Sequence, residues 1–450
     1  MPESHHRGRA TRRRRVLRRN EPHRVHVPRA GGRVVKEAVR LKLGNGAVLL
    51  LHEDHSNPSI AFRGSVRAGA AYGRPGIAEF TARLLLRGTK RRSAAKISDA
   101  TEDLAAALAA TNGMESVALE GRCTRETLKE TLRIFIESLA TPAFAPAELE
   151  KVRGEVTGDL RAQEDDTRRA ATRRLLELVY PPSHPYHADP KGDARSAAKI
   201  QAKDARAFHA AHYGAAGMIV AFSGDLETET FRGLVAAAFE RLDSGEPPNP
   251  VPTPKPSKPA NAVIAMPHKS QADFVAGRVA LARTHPDYQA LNLATILFGR
   301  IGLYGRLGQK VRDDLGLAYY SFSSLEARLA GGHCLVSAGV NPKNLAQAVA
   351  AIRAEMERLR TEPFSDAEVR DGKTHLIGSL QVTLERNPEN AAAIHDIEYY
   401  GLGNDYLERY PEIVRGLDPE SVRKTGAEYY DPDASSWVAS GPVKGVRLSF

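Results

Sequence analysis

The sequence is poor in cysteine, in tryptophan and in long apolar runs. Its two cysteines, Cys123 and Cys334, exclude a disulfide framework and match no metal-binding spacing. No stretch approaches the roughly 18 consecutive apolar residues of a membrane-spanning helix. Excess positive charge is missing too, except in one place. The chain carries +10, yet residues 1–33 hold eleven arginines and two glutamates, a net of +9, so the remainder stands at +1. That removes a basic nucleic-acid-binding face from the folded part. The tail over residues 1–35, with Arg12 to Arg15 in a row, buries too little apolar surface to fold, and disorder is the expectation. No apolar segment follows its arginines as an export signal requires. The compartment is therefore open: cytoplasmic by default, periplasmic if the amino terminus is misassigned. Nothing resembles a phosphate-binding loop, a dinucleotide fingerprint or a Ser/His/Asp elbow.

What the chain does contain is a repeat. Phe-Ala-Pro-Ala-Glu-Leu-Glu-Lys-Val-Arg starts at Phe144, and Phe-Ser-Asp-Ala-Glu-Val-Arg-Asp-Gly-Lys starts at Phe364, 220 residues later. Amphipathic runs precede both, at Leu128–Leu139 and Leu345–Leu359, and strand-like segments precede those, at Val117–Cys123 and His333–Val340. Tyr213 through Gly224 also matches Tyr430 through Gly441, at an offset of 217. Agreement across several elements identifies a duplication. A proline-rich stretch around Pro247–Pro256 separates the copies and forbids helix there. The chain thus divides into the tail, a domain over 36–243, a linker over 244–259 and a domain over 260–450. Strands followed by long helices in each copy predict an α+β fold of two layered domains. Duplicated halves on a linker suit a cleft that closes over a ligand.

The most informative stretch is Arg67-Ala-Gly-Ala-Ala-Tyr-Gly-Arg-Pro-Gly-Ile-Ala-Glu-Phe-Thr-Ala-Arg-Leu-Leu-Leu-Arg-Gly-Thr89. A strand over Ser59–Val66 runs into a glycine-rich turn, a helix starts near Pro75, and Gly88 suits its carboxyl-terminal cap. This arrangement resembles the first domain of pitrilysin/insulinase-type metallopeptidases, where it carries the inverted zinc motif His-x-x-Glu-His. With Gly76-Ile77-Ala78 and Gly88-Thr89 fixing the register, the first zinc histidine falls on Glu79, the general base on Ala82 and the second histidine on Arg83. The third ligand, a glutamate on a later helix, falls on Asp159, with Glu155 the less favoured register. A guanidinium has no lone pair to offer a metal, and alanine neither takes nor gives a proton. The resemblance therefore implies a processing-peptidase-like duplicated fold without a cofactor of its own. Glu79 and Arg83, spaced i and i+4, predict an ion pair that Asp159 completes from the other helix.

In the second copy, Leu297-Phe-Gly-Arg-Ile-Gly-Leu-Tyr-Gly-Arg-Leu-Gly-Gln-Lys-Val-Arg-Asp-Asp-Leu-Gly-Leu-Ala-Tyr-Tyr resembles a second segment of that family. There an arginine and a tyrosine seven residues apart face the zinc site and hold substrate backbone. Here they fall on Arg312 and Tyr319, behind a loop bulkier than usual at Arg300, Ile301, Leu303 and Tyr304. Read from the residues alone, Arg312 pairs with Asp313 or Asp314 and Tyr319 fills core. The resemblance implies instead the non-zinc subunit of a bacterial heterodimeric peptidase, with Arg312 and Tyr319 as its catalytic contribution. A homologous subunit would carry the zinc, and unfolded or short peptide would be the substrate. The competing expectations are an inert scaffold homologue and an enzyme with an unrecognised metal site. His184 and His187 are expected to be structural, His209 and His212 to be core or surface residues rather than ligands, and His52 and His55 to be exposed polar residues after a strand.

Overall fold

Residues 38–299 and 305–443 are described by the computed structural model. The tail over 1–35, the bulky loop residues Arg300, Ile301, Leu303 and Tyr304, and the last seven residues of the second copy lie outside them. The period-2 and period-3.6 patterns resolve into two rounds of the same element order. The first round contains β1 (Val39–Lys42), β2 (Val48–Glu53), β3 (Ser59–Val66), α1 (Ile77–Leu84), α2 (Ala94–Asp103), β4 (Ala107–Asn112) and β5 (Val117–Thr124). It continues with α3 (Leu128–Ala140), α4 (Pro146–Glu164), α5 (Thr167–Val179), α6 (Ala194–Lys199), α7 (Ala202–His212), β6 (Ile219–Gly224) and α8 (Thr228–Phe239). The second round runs β7 (Asn261–Ala265), β8 (Ala272–Ala280), α9 (Tyr288–Gly299), a π-helical turn over Gly308–Asp314, β9 (Ala318–Ala327) and β10 (Gly332–Val340). It ends with α10 (Leu345–Thr361), α11 (Asp366–Thr383), α12 (Asn387–Tyr400), α13 (Tyr406–Arg415), α14 (Pro419–Tyr429) and β11 (Ser436–Gly441).

The strand orders superimpose. One sheet is β1-β2-β6-β3-β5-β4 and the other β7-β11-β8-β10-β9, so only β1 lacks a counterpart among the described strands. In both, the two strands at the start and end of the round pair parallel, β2 with β6 and β7 with β11, and the rest pair antiparallel. One helical contact repeats as well. In the first copy Arg153 of α4 donates to the carbonyls of Ala197 and Ile200 at the end of α6. In the second Lys373 of α11, 220 residues later, donates to Arg415 and Leu417 at the end of α13, at 2.8 and 2.7 Å. Each cation meets carbonyls that a helix end leaves unpaired.

The halves also exchange helices. The first copy's α5 lies on β8 and β11 of the second sheet, and α12 lies on β3 and β6 of the first. The middle of the α5 seam is apolar: Ala171, Leu175 and Val179 pack on Val275, Leu335 and Val438, with polar contacts at its ends. The α12 seam has a smaller apolar cluster, with Ile394 against Val48, Leu50 and Ala221. There His395 Nε2 pairs with Ser65 Oγ at 2.8 Å and Asn387 Nδ2 donates to the Ser59 carbonyl at 2.9 Å. Each sheet thus has its own helical core, plus one face closed by the other copy.

Candidate functional site

The site forms where α1 crosses α4. Gly76 caps α1 at φ 84°, a left-handed conformation that side chains rarely adopt. A Cβ there would also stand 3.0 Å from the Lys191 carbonyl, so the glycine lets the 189–193 turn close over the start of the helix. Glu79 and Arg83 follow on one face of α1. Arg83 Nε donates to Glu79 Oε1 at 2.7 Å, and Arg83 Nη2 donates to Asp159 Oδ2 at 2.5 Å across the helix crossing. Glu155, one turn before Asp159, places Oε2 3.6 Å from Arg83 Nη1 and accepts from Arg87 Nη2 at 2.7 Å. Lys191 Nζ reaches Asp159 Oδ2 at 3.1 Å. Ala82 is buried beside them.

Burial works against the Arg83 charge, but hydrogen bonds to Asp159 and Glu79 and their nearby charges outweigh it and raise its pKa above the ordinary guanidinium value. The hydrogen bonds from Arg83 and then Lys191 hold the Asp159 carboxyl below the usual aspartate range. Glu79 is 6% exposed, so its carboxylate depends on Arg83 for compensation. Tyr213, on the end of α7, is fully buried nearby; desolvation first, and then Glu79, push its phenol upward. Zinc does not fit this donor set. A permanently protonated guanidinium lies between the carboxylates, and Ala82 offers no base to a bound water. Among the described residues no group of three histidine, cysteine or carboxylate side chains is placed to hold a metal ion.

Arg312 and Tyr319 belong to the other sheet. Arg312, in the π-helical turn, clasps Asp313 with Nε to Oδ1 at 2.7 Å and Nη2 to Oδ2 at 3.0 Å. Tyr319 is 64% exposed, which removes the core-filler reading. Its exposure has a local cause. Between β9 and β10 the register passes from Tyr320 opposite Gly339 to Ala318 opposite Val340, leaving Tyr319 as the extra residue of a bulge.

The structure therefore brings Glu79, Arg83 and Asp159 together, and sets Tyr319 on β9, the outer strand of the second sheet, with Arg312 in the π-helical turn before it. Sequence reasoning missed Lys191 and Arg87. Lys191 sat in an Asp-Pro-Lys-Gly turn that only the fold carries to α4, and Arg87 lies past the end of α1 at Leu84, where helical spacing no longer applies. The histidines serve as structural partners: His184 Nε2 meets the Pro252 carbonyl at 2.8 Å, and His187 and His209 meet those of Tyr180 and Leu139. His55 is exposed as expected and pairs with Asp225 at 2.7 Å, but His52 is buried instead, because it faces inward from β2 and pairs with Ser223 of β6 at 3.0 Å.

Comparison with known proteins gives one answer for both halves. The family model described as "Insulinase (Peptidase family M16)" matches residues 48–183, and "Peptidase M16 inactive domain" matches 199–376. An uncharacterized zinc protease of Rickettsia bellii is 22% identical over 408 residues, covering 88% of this chain and 96% of that protein. A probable inactive metalloprotease of Bacillus subtilis is 29% identical over 108 residues, about a quarter of each chain: 24% of this one and 25% of that one. The crystal structure of a peptidase M16 inactive domain from Pseudomonas fluorescens superimposes with a TM-score of 0.85 at 23% identity, over 92% of this chain and all of that one. The chain belongs to the insulinase, or peptidase M16, family.

Proposed function

We propose that this chain is the non-zinc subunit of a two-subunit zinc metalloendopeptidase, holding peptide and lending Arg312 and Tyr319 to the zinc site of a homologous partner. The observation that carries the reading is the contrast between the two candidate groups. The zinc-motif positions are closed by the Arg83 ion network, while the bulge at Tyr319 holds a phenol out into solvent. Exposing a tyrosine to this degree does nothing for the core and suits contact with something outside the chain.

The partner's zinc would supply the activated water. This chain's residues would act on the peptide carbonyl. Tyr319 Oη donates to its oxygen, and the Arg312 fork donates as negative charge develops there, a donor pair of the oxyanion-hole kind. Arg312 must exchange its Asp313 partner to do so. The edge of β4, unpaired on its outer side among the described strands and packed on α1, suits an extended peptide added as a further strand. The test is to reconstitute this chain with a zinc-bearing homologue and compare Arg312→Ala and Tyr319→Phe. Loss of peptide cleavage with the complex intact is expected, and undiminished cleavage in both rejects the role. The bidentate clasp of Arg312 on Asp313 favours one alternative, an inert scaffold homologue, and the same variants decide between them.

A further inference from the structure

The second sheet contains a buried carboxylate that the proposed function leaves unused. Asp273 on β8 is completely buried. Its Oδ1 accepts from Tyr320 Oη, its Oδ2 accepts from Thr167 Oγ1, and Gln271 Nε2 lies 3.0 Å from both oxygens. Thr167 opens α5, immediately after α4, and its carbonyl accepts from Ser440 Oγ of β11 at 2.5 Å. The Tyr320 ring lies over Gly339, where any Cβ would overlap the ring edge. The Arg168 guanidinium stands 5.6 Å from the ring's centroid, and the Phe322 ring 5.7 Å from it. Burying a carboxylate is costly unless its oxygens are satisfied, and a fully satisfied buried network specifies one geometry.

That geometry falls at a telling place. Tyr320 is the first residue of β9 in regular register after the bulge, and Gly339 is its partner across the pair. The corresponding edge strand of the first copy, β4, pairs with β5 without interruption from Ala107–Arg122 to Asn112–Val117. The pinned tyrosine and the bulge therefore occur together, in the copy that carries Tyr319. A one-residue slip in register would turn Tyr319 to the other face, so something must hold the count.

We infer that Asp273 is a positioning residue: through Tyr320, seated in the Gly339 slot, it fixes the β9 bulge and keeps Tyr319 facing outward. Thr167 ties the same carboxylate to α5, so the aim of Tyr319 is set jointly by both copies. The inference deepens the proposed function, because it explains how a substrate-facing group is held by residues that touch no substrate.

The experiment places 3-fluorotyrosine at position 319 of the full chain and records its fluorine NMR signal. Tyr320→Phe keeps the ring and removes only the hydroxyl that Asp273 accepts from. It is expected to shift and broaden the signal, as are Asp273→Asn and Gly339→Ala. Tyr180→Phe is the control, since it removes another buried hydroxyl, paired with His333 on the same sheet at 3.1 Å. That variant should leave the signal in place. An unchanged signal in folded Tyr320→Phe overturns the inference, as does an equal shift in Tyr180→Phe. Tyr320→Phe decides the matter even if Asp273→Asn does not fold. No partner is needed, so this result stands apart from the role of Tyr319. In the reconstituted peptidase, Tyr320→Phe should lower kcat by as much as about 10²-fold with KM little changed. Full kcat in Tyr320→Phe beside a lost kcat in Tyr319→Phe would overturn positioning and leave the proposed function standing.

Discussion

Apart from β1, the two copies agree strand for strand among the described residues, and they diverge where each could do chemistry. In the first, α1 and α4 cross through charge, with Arg83 between Glu79 and Asp159. In the second, the equivalent crossing of α9 and α11 is apolar, and Gly372 sits directly against Leu293 and Leu297. At the sheet edges the contrast reverses: β4 is regular, while β9 carries a bulge and an exposed tyrosine. Duplication supplied one scaffold twice, and each copy elaborated a different part of it. The ion network of the first copy keeps side chains together, whereas the bulge of the second holds one side chain away from the core.

The contrast is most easily broken at Arg83. Arg83→Ala leaves the buried Glu79 carboxylate uncompensated, and denaturant unfolding should show a loss of about 2–3 kcal/mol, less than the roughly 3–5 of a fully buried pair because the Arg83 side chain is 25% exposed. Replacing Glu79 and Arg83 together with leucine should recover most of that loss. A cost below about 0.5 kcal/mol for Arg83→Ala would reduce the network to surface charge.

A second difference concerns the α5 seam. His333 on β10 is buried under Tyr180, which donates to or accepts from its Nδ1 at 3.1 Å; Glu326 is 3.4 Å from Nε2, and Arg328 also faces it. Desolvation lowers its pKa to about 4, with Glu326 pulling the other way. The unfolded chain, at the ordinary value near 6.5, therefore binds this proton before the native protein does. The histidine's contribution to stability is full above pH about 6.5 and falls as the pH drops towards 4. Its slope approaches but does not exceed about 1.4 kcal/mol per pH unit. Unfolding measured across that range should flatten in His333→Phe, and an identical pH profile in both proteins would contradict the assignment.

The smallest effect compares the repeated helix caps. Lys373→Met should cost about 0.3–1 kcal/mol, the usual worth of a cation at a helix end. Arg153→Met should cost more, because that guanidinium also lies 5.7 Å over the Phe80 ring. The reverse order would mean that the caps are not equivalent.

Much of the duplication was legible, since α4 and α11 keep the same polar and apolar sequence and β6 and β11 the same run into glycine. The exchange of α5 and α12 was not. Each is an amphipathic helix, and amphipathicity states that a face is buried without stating which sheet buries it. At the site, Glu79 and Arg83 could be paired by helical spacing, and Asp159 by resemblance. Lys191 arrives only because Gly76 permits a turn to close. The pairing of Arg312 with Asp313 was available from adjacency. The exposure of Tyr319 was not, because a bulge is a property of register between strands and leaves no mark in either strand alone.

The central claim is that peptide hydrolysis needs this chain but not a metal bound to it. The direct measurement is zinc content and peptide cleavage for the isolated chain and for the chain mixed with a zinc-bearing homologue. The account predicts no stoichiometric zinc and no cleavage from the chain alone, with cleavage by the mixture exceeding that of the homologue by itself. Stoichiometric zinc and cleavage in the isolated chain, or a mixture no more active than the homologue, would contradict it.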